Sequence, residues 1–312
     1  MLIRPSILAL TFAVMSCASV TEQPATAESY ETLSEAGSNE KDFSLTSPDG
    51  RDISVRAFLP ETDCSPCSLI IFSHGANATY DRYDVLLKDW AEKGYVVVAP
   101  LHIDSELHTK RDTFDQDDSR VFRVEDYQLL SDMFAADGFA FENLTFSDVQ
   151  IAAGHSYGAL IALIAGGVVP ENPDWTLPEG TLKPKAVLGI SPPGAMDGLI
   201  SLEGYSELDV PALIVTGTTD ILPGFIDEWQ AHLAAYDAAD PTLAYGLVFD
   251  GMDHNFNGAY CRITPEGAAA QPAVDQLNSS IETFISANKA GRAPTDSDWR
   301  ALSSSDMEAI AK

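Results

Sequence analysis

Basic residues are scarce in this sequence. Its 312 residues include 18 Lys and Arg against 47 Asp and Glu, a formal net charge of -29. Such a field repels nucleic acid and anionic lipid headgroups, so neither is expected as a partner. The acidic residues are spread along the chain, as on a solvated surface, with a local cluster at Asp112, Asp115, Asp117 and Asp118.

Long apolar runs and internal repeats are also lacking, and no run is long enough to span a bilayer. Residues 1–16 combine Arg4 with an apolar run of secretory length, which predicts a signal peptide. The run ends in VMSC and resembles a bacterial lipobox, with aliphatic Val14, small Ser16, and Cys17 for lipid attachment. Ordinary signal cleavage nearby is the alternative. The sequence predicts an exported protein, lipid-anchored in a bacterial cell envelope or otherwise periplasmic or secreted.

Polar segments bound one candidate domain. Residues 17–40 lack apolar periodicity and suit a flexible tether. Residues 41–288 can bury a substantial core, since 45% of the chain is hydrophobic. Residues 289–312 form a polar C-terminal tail in which Trp299 and Leu302 can dock. No second domain is evident, and the oligomeric state is not indicated.

Cysteines are few, four in all. Export permits disulfides. Cys64 and Cys67 precede a strand instead of a helix, so a structural bridge or idle thiols are favoured over redox chemistry, and no second CxxC completes a zinc site. Cys261 follows its own strand. A strand of about five residues at about 3.3 Å each separates the two sheet edges, beyond the roughly 7 Å that a bridge tolerates. We predict a Cys64–Cys67 bridge, if any, with Cys261 free.

The chain from residue 41 alternates strands and helices. A hairpin is predicted around Asp49 and Gly50. Continuous apolar strands then follow: SLIIFSHG, YVVVAP, VQIAAG, KAVLGIS, PALIVTG and AYGLVFDG. Helical stretches between them include RYDVLLKDWAEKG and RVFRVEDYQLLSDMFAAD. This order predicts an α/β fold, with a mostly parallel central sheet and helices on both faces.

The segment Gly154-His155-Ser156-Tyr157-Gly158 stands between a predicted strand and an apolar helix. Small residues there can simply let a helix approach a sheet. In the order strand, turn, helix, however, G-x-S-x-G is the pattern of a nucleophile elbow, where a strained serine displays its hydroxyl. The glycines fit because the positions two before and two after the serine lie close to neighbouring backbone. Ser156 is therefore predicted to be a nucleophile.

A serine nucleophile needs a base, and the base needs an orienting acid. Asp220 follows the strand PALIVTG, and His254 follows the next strand, which gives the order Ser, Asp, His. Asp253 is the rival acid, but it should project away from its neighbour His254. The remaining candidates fit less well: His102, His108, His155, His232, Asp197 and Asp227.

An oxyanion hole completes such a site, with backbone N–H groups aimed where negative charge develops. Tyr157 supplies one predicted donor, as the residue after the nucleophile. His74-Gly75-Ala76 resembles an HG oxyanion turn, and Ala76 supplies the other donor. His74 is then a loop-bracing residue and not a base.

Together, IIFSHGANATYDRYDVLLKDWAEKGYVVVAPLHID and GHSYGAL resemble the α/β-hydrolases. They are most similar to the branch of platelet-activating-factor acetylhydrolase, chlorophyllase and cutinase-like esterases, over residues 41 to 288. The resemblance implies a carboxylic ester hydrolase that needs no metal or organic cofactor, with these roles: nucleophile Ser156, acid Asp220, base His254, and oxyanion donors Ala76 and Tyr157. Two departures are Ala159 and Asn77, where many relatives have glycine.

The substrate is expected to be a small or polymeric ester. The acidic segment 102–120 should emerge beside Ser156 with few apolar residues, which favours short acyl groups and neutral or cationic esters. In the alternative, this loop folds away and Tyr80, Tyr157 and Leu222 line the pocket. Other hypotheses are a polyester or cutin-type hydrolase, a carbohydrate acetylesterase, and a surface lipoprotein that keeps the fold only for binding.

Overall fold

The computed structural model describes residues 39–62, 64–261 and 270–312. The predicted signal peptide, Cys17 and nearly all of the predicted tether lie outside these residues. Within the part of the chain that is described, no helix combines the length and apolar character needed to cross a membrane.

Ten strands form the sheet in the order β1-β2-β4-β3-β6-β7-β8-β9-β10, with β5 paired to β6. Their bounds are β1 Glu40–Thr46, β2 Asp52–Phe58, β3 Cys67–Ser73, β4 Tyr95–Pro100, β5 Ala140–Phe141, β6 Leu144–His155, β7 Ala186–Ile190, β8 Ala212–Gly217, β9 Ala244–Phe249 and β10 Met307–Ala311. Strands β4, β3, β6, β7, β8 and β9 pair in parallel. The hairpin of β1 and β2 and the edge strand β10 are antiparallel. The predicted hairpin and the mostly parallel sheet are confirmed.

The helices of the described residues are α1 Asp84–Glu92, α2 Gln116–Ala135, α3 Tyr157–Ala165, α4 Leu202–Ser206, α5 Ala234–Ala238, α6 Gln271–Lys289 and α7 Asp296–Arg300. They cover both faces of the sheet, as predicted. Successive residues of β3 point to opposite faces, so Leu69 and Ile71 enter one hydrophobic cluster with α2 and α3. Ile70 and Phe72 enter the other cluster, with α1 and α6.

The chain after residue 288 differs from the predicted polar tail. It forms α7 and then β10, which extends the sheet beyond the predicted domain boundary. Trp299 docks as expected: it is fully buried, its ring packs against Tyr245 and Phe284, and its Nε1 donates to Gly246 O at 3.3 Å. In β10, buried and more exposed positions alternate, a strand pattern that is hard to recognise beside the polar stretch before it.

The cysteines follow the prediction only in part. Cys64 and Cys67 form a disulfide. Cys261 is disulfide-bonded as well, so the prediction that it stays free is wrong. The distance between the two sheet edges excludes a bridge from Cys261 to Cys64 or Cys67, and these two are bonded to each other. The distance does not exclude a different partner for the Cys261 thiol.

The integration of the C-terminal segment can be tested with Trp299→Ala. Emptying a fully buried tryptophan site should lower the free energy of unfolding by about 3–5 kcal/mol. The matched control is Leu202→Ala, because Leu202 is 56% exposed and its truncation should change stability by no more than about 0.5 kcal/mol. Urea unfolding followed by circular dichroism measures both. Equal stability of the two variants would show that the segment is not part of the core.

Candidate active site

The predicted elbow lies between β6 and α3. Ser156 has φ 54° and ψ −119°, a strained backbone for a residue with a side chain. Its N–H donates to Ile190 O at 2.8 Å. A Cβ on Gly158 would lie 1.9 Å from Ser73 O, and one on Gly154 would lie 2.2 Å from Gly158 O. At both positions the neighbouring backbone leaves no room for a side chain, as the sequence predicted. Glycine is therefore required at both.

Three predicted residues meet at the carboxyl edge of the sheet. His254 Nε2 lies 2.9 Å from Ser156 Oγ, and His254 Nδ1 lies 2.8 Å from Asp220 Oδ1. Asp220 follows β8 and His254 follows β9, and the ends of parallel strands meet at one edge. The rival Asp253 is used elsewhere, since its Oδ1 accepts the N–H groups of Asn255 and Asn257 at 2.9 and 2.8 Å. The structure thus brings Ser156, His254 and Asp220 together and leaves Asp253 out.

The Asp220 carboxylate is fully buried and surrounded by polar partners. Burial by itself raises the pKa of this carboxyl, but the contacts with His232 and His254 outweigh burial and hold the pKa well below its usual range. Thr216 Oγ1 donates to the second carboxylate oxygen at 2.9 Å. Asp220 is therefore an ionised acceptor for the His254 Nδ1–H.

His232 is a second histidine at the same carboxylate, although its position in the sequence did not predict a place in the site. It is fully buried in the 3-10 helix Trp229–Leu233. Its Nδ1 lies 2.6 Å from Pro192 O, and its Nε2 lies 2.9 Å from Asp220 Oδ1, although without the alignment of a hydrogen bond. A carbonyl only accepts, so His232 Nδ1 donates to Pro192 O.

Asp220, His232 and His254 are also residue types that hold metals, and their donor atoms lie within 4.8 Å of one another. The contacts of His254 and His232 with Asp220 Oδ1 are 2.8 and 2.9 Å. Ligands around a tetrahedral zinc ion would be roughly 3.3 Å apart. The three side chains are therefore spaced as polar groups in direct contact with one another. A metal ion could bind between them only if they moved apart.

The turn after β3 has the features of the predicted oxyanion hole. Gly75 N donates to Tyr83 Oη at 3.0 Å, and Asn77 N donates to Asp104 Oδ2 at 3.1 Å. Between them, the Ala76 N–H makes no hydrogen bond to a protein group among the described residues. Tyr157 begins α3, so its N–H has no partner within the helix. Both predicted donors are left available to a substrate oxygen.

This turn has Asn77 in place of a further glycine, and it comes close to Ser156. Asn77 has φ 58°, a left-handed conformation that asparagine adopts more readily than most residues. A Cβ on Gly75 would lie 3.6 Å from Ser156 Cβ, which shows how near the turn comes to the elbow.

Arg123 of α2 holds the turn from behind, and no sequence motif predicted this role. The side chain is fully buried and donates to His74 O at 2.6 Å and to Gly75 O at 3.1 Å. It pairs with Asp104 at 2.7 and 2.9 Å, and its guanidinium lies 4.5 Å from the ring centre of Tyr157. An arginine in an amphipathic helix usually faces solvent, so no local signal marked it.

His74 also braces the turn, as the sequence predicted. Its Nδ1 lies 2.8 Å from Gly75 O, and its Nε2 accepts the His102 N–H at 3.1 Å. Complete burial, followed by the charge of Arg123, holds the pKa of His74 well below its usual value. The ring is therefore neutral.

Two carboxylates of the acidic segment 102–120 pair with arginines that are mostly buried. Asp104 pairs with Arg123, and Glu106 pairs with Arg82. Asp115 and Asp118 form a capping box at the start of α2. These two ion pairs neutralise part of the expected acidic mouth, and Asp112, Asp115 and Asp118 stay exposed. Tyr80, one of the residues expected to line the pocket in the alternative, packs its ring 4.6 Å from the Arg56 guanidinium instead.

No protein-family model and no curated protein matches this chain. Solved structures do match, among them those of a thermophilic esterase from the Planctomycetes species Thermogutta terrifontis. The native enzyme has 15% identity and a TM-score of 0.58, over 82% of this chain and 95% of its own. Its butyrate-bound form has 15% identity and a TM-score of 0.58, over 79% and 94%. The form phosphoramylated by tabun has 15% identity and a TM-score of 0.56, over 78% and 95%. Together with the sheet order, these likenesses show that the chain has the α/β-hydrolase fold.

Proposed function

We propose that this protein is a serine esterase that hydrolyses carboxylic esters through an acyl-enzyme on Ser156. The observation that carries the proposal is the continuous line of contacts from Asp220 through His254 to the Ser156 hydroxyl. The available N–H groups of Ala76 and Tyr157 stand beside it. Neighbours of this fold are esterases, which agrees with the proposal.

The geometry supports a two-step reaction. His254 Nε2 accepts the Ser156 proton as Oγ attacks the ester carbonyl, and the N–H groups of Ala76 and Tyr157 hold the oxyanion. His254 then gives that proton to the departing alcohol, which leaves an acyl group on Oγ. A water molecule, deprotonated by His254, attacks the acyl carbonyl and releases the acid with Ser156 restored. Asp220 holds the ring in the tautomer that leaves Nε2 free to accept.

We propose short acyl groups as the preferred substrates. A lipase-like lid would need an apolar underside, and in segment 102–120 the large apolar side chain that is exposed is Leu107, at 60%. The esterase from Thermogutta terrifontis has been solved with propionate and with butyrate bound, which agrees with a short-acyl site on this fold. The preference for neutral or cationic esters rests on the net charge of -29 and on the exposed carboxylates of Asp112, Asp115 and Asp118.

Two further proposals come from the sequence. The pattern around the elbow supports a relationship to the branch of platelet-activating-factor acetylhydrolase, chlorophyllase and cutinase-like esterases. The N-terminal pattern supports export through a signal peptide.

The serine is tested by Ser156→Ala. Loss of the nucleophile should lower kcat by a factor on the order of 10⁴ or more, because the remaining groups act only through it. Wild type should react covalently with a fluorophosphonate probe, and the variant should not. Circular dichroism confirms that the variant is folded. A wild type that neither hydrolyses esters nor labels would instead favour the binding-protein hypothesis.

The orienting acid is tested by a matched pair of variants. Asp220→Asn should lower kcat by a factor on the order of 10⁴, because the amide favours the wrong tautomer of His254. Asp253→Asn should change kcat little, because the asparagine Oδ1 can still accept the N–H groups of Asn255 and Asn257. Steady-state kinetics of both variants decide, and the reverse ranking would make Asp253 the acid.

Acyl length is tested with a panel of p-nitrophenyl esters. Each added methylene contributes only about 0.8 kcal/mol even in a good apolar pocket, so kcat/KM should peak between about two and six carbons. Acetylated polysaccharide and a polyester film, added to the panel, test the alternative substrates. A maximum at twelve or more carbons would indicate a lipase.

A further inference from the structure

His155 stands directly before the predicted nucleophile, but its side chain leads away from Ser156. It is 1% exposed. Its Nδ1 lies 2.9 Å from Tyr83 Oη, and its Nε2 lies 2.8 Å from the backbone oxygen of His254. Tyr83 Oη in turn receives the Gly75 N–H at 3.0 Å. A chain of three hydrogen bonds therefore joins the oxyanion turn to the backbone of the predicted base.

One arrangement of hydrogens satisfies every member of this chain. The Gly75 N–H can only donate, so Tyr83 Oη accepts it and directs its own hydrogen to His155 Nδ1. The His254 carbonyl can only accept, so His155 Nε2 carries the ring hydrogen. The arrangement requires a neutral ring. Burial, helped by the nearby His254, lowers the pKa of His155 to about 3, so the ring is neutral near pH 7.

We propose that Tyr83 and His155 are positioning residues that fix the distance between the oxyanion turn and the catalytic histidine. The proposal rests on the proposed esterase function. Gly75 directly precedes Ala76, whose N–H is the oxyanion donor, and the other end of the chain is the backbone of His254 itself. A misplacement of catalytic groups by about 1 Å can lower a rate on the order of 10²-fold.

The surroundings keep this bridge dry and rigid. Tyr83 and Tyr260 are fully buried. Their rings stack with centres 5.9 Å apart, and His155 lies edge-on to Tyr260 at 5.0 Å. Since water does not reach these groups, loss of the Tyr83 hydroxyl leaves the Gly75 N–H and His155 Nδ1 unpaired. The oxyanion turn and His254 would then no longer be connected through hydrogen bonds.

Tyr260 provides a matched control for a purely structural role. It is buried in the same aromatic group, but its hydroxyl has no hydrogen-bond partner among the described residues. Tyr83→Phe and Tyr260→Phe therefore remove the same atom from neighbouring rings. Only the first substitution breaks the bridge.

The experiment compares these two variants with wild type in the full-length chain, using p-nitrophenyl butyrate. We expect Tyr83→Phe to lower kcat by roughly 10- to 100-fold with little change in KM, because misplaced groups act on the reaction more than on binding. Tyr260→Phe should keep the wild-type kcat. Thermal unfolding of both variants identifies any loss that comes from instability, and the rate of fluorophosphonate labelling should follow kcat.

A second variant keeps the test decisive if Tyr83→Phe folds poorly. His155→Phe keeps a ring but removes both nitrogens, so it breaks the bridge at its other member and should also lower kcat with little change in KM. In the double variant, kcat should fall little further than in either single variant, because both changes break one bridge. If wild type hydrolyses esters and Tyr83→Phe or His155→Phe matches Tyr260→Phe in kcat, the positioning role is overturned while the esterase proposal stands. If wild type hydrolyses no ester, both proposals fail.

Discussion

The close approach of α3 to β3 at Gly158 is the contact on which the site depends. With no side chain at this position, the helix begins against Ser73 O, and a Cβ there would lie 1.9 Å from that oxygen. The start of α3 then places the Tyr157 N–H beside the turn that follows β3. The same approach forces Ser156 into a backbone with φ 54°, so that its hydroxyl meets His254 from β9. One steric constraint therefore aligns the proposed nucleophile, base and oxyanion donors.

Several charged side chains are buried beneath the carboxyl edge of the sheet. Asp220, Arg123 and Asp126 are fully buried. A buried charge is tolerable only when it is paired and hydrogen-bonded. Arg123 meets Asp104 and two turn carbonyls, and Arg51 meets Asp126. These pairs are therefore better evidence of fixed geometry at the site than of added stability, since the desolvation of each charge offsets much of its attraction.

The sequence predicted the parts of the molecule that local patterns encode. The apolar strands, the Asp49–Gly50 hairpin and the elbow each occupy one continuous segment, and the positions of Asp220 and His254 follow from the ends of parallel strands. It could not predict the roles of Arg123, Tyr83 or His232, because their partners lie far away in the chain and depend on how helices pack. The strand β10 was missed because its short alternation follows a polar stretch. The pairing of Cys261 was not predicted because the distance between sheet edges bears only on bridges to Cys64 and Cys67.

The turn around Ala76 shows why these non-local contacts matter for chemistry. Arg123 holds the carbonyls of His74 and Gly75, Tyr83 receives the Gly75 N–H, and Asp104 receives the Asn77 N–H. The backbone groups on both sides of the Ala76 N–H are thus engaged, while the Ala76 N–H itself has no protein partner among the described residues. A donor fixed in this way needs no reorganisation when charge develops on a carbonyl oxygen, and this is the main source of stabilisation in oxyanion holes. The residues that no motif revealed are therefore the ones that prepare the motif residues to act.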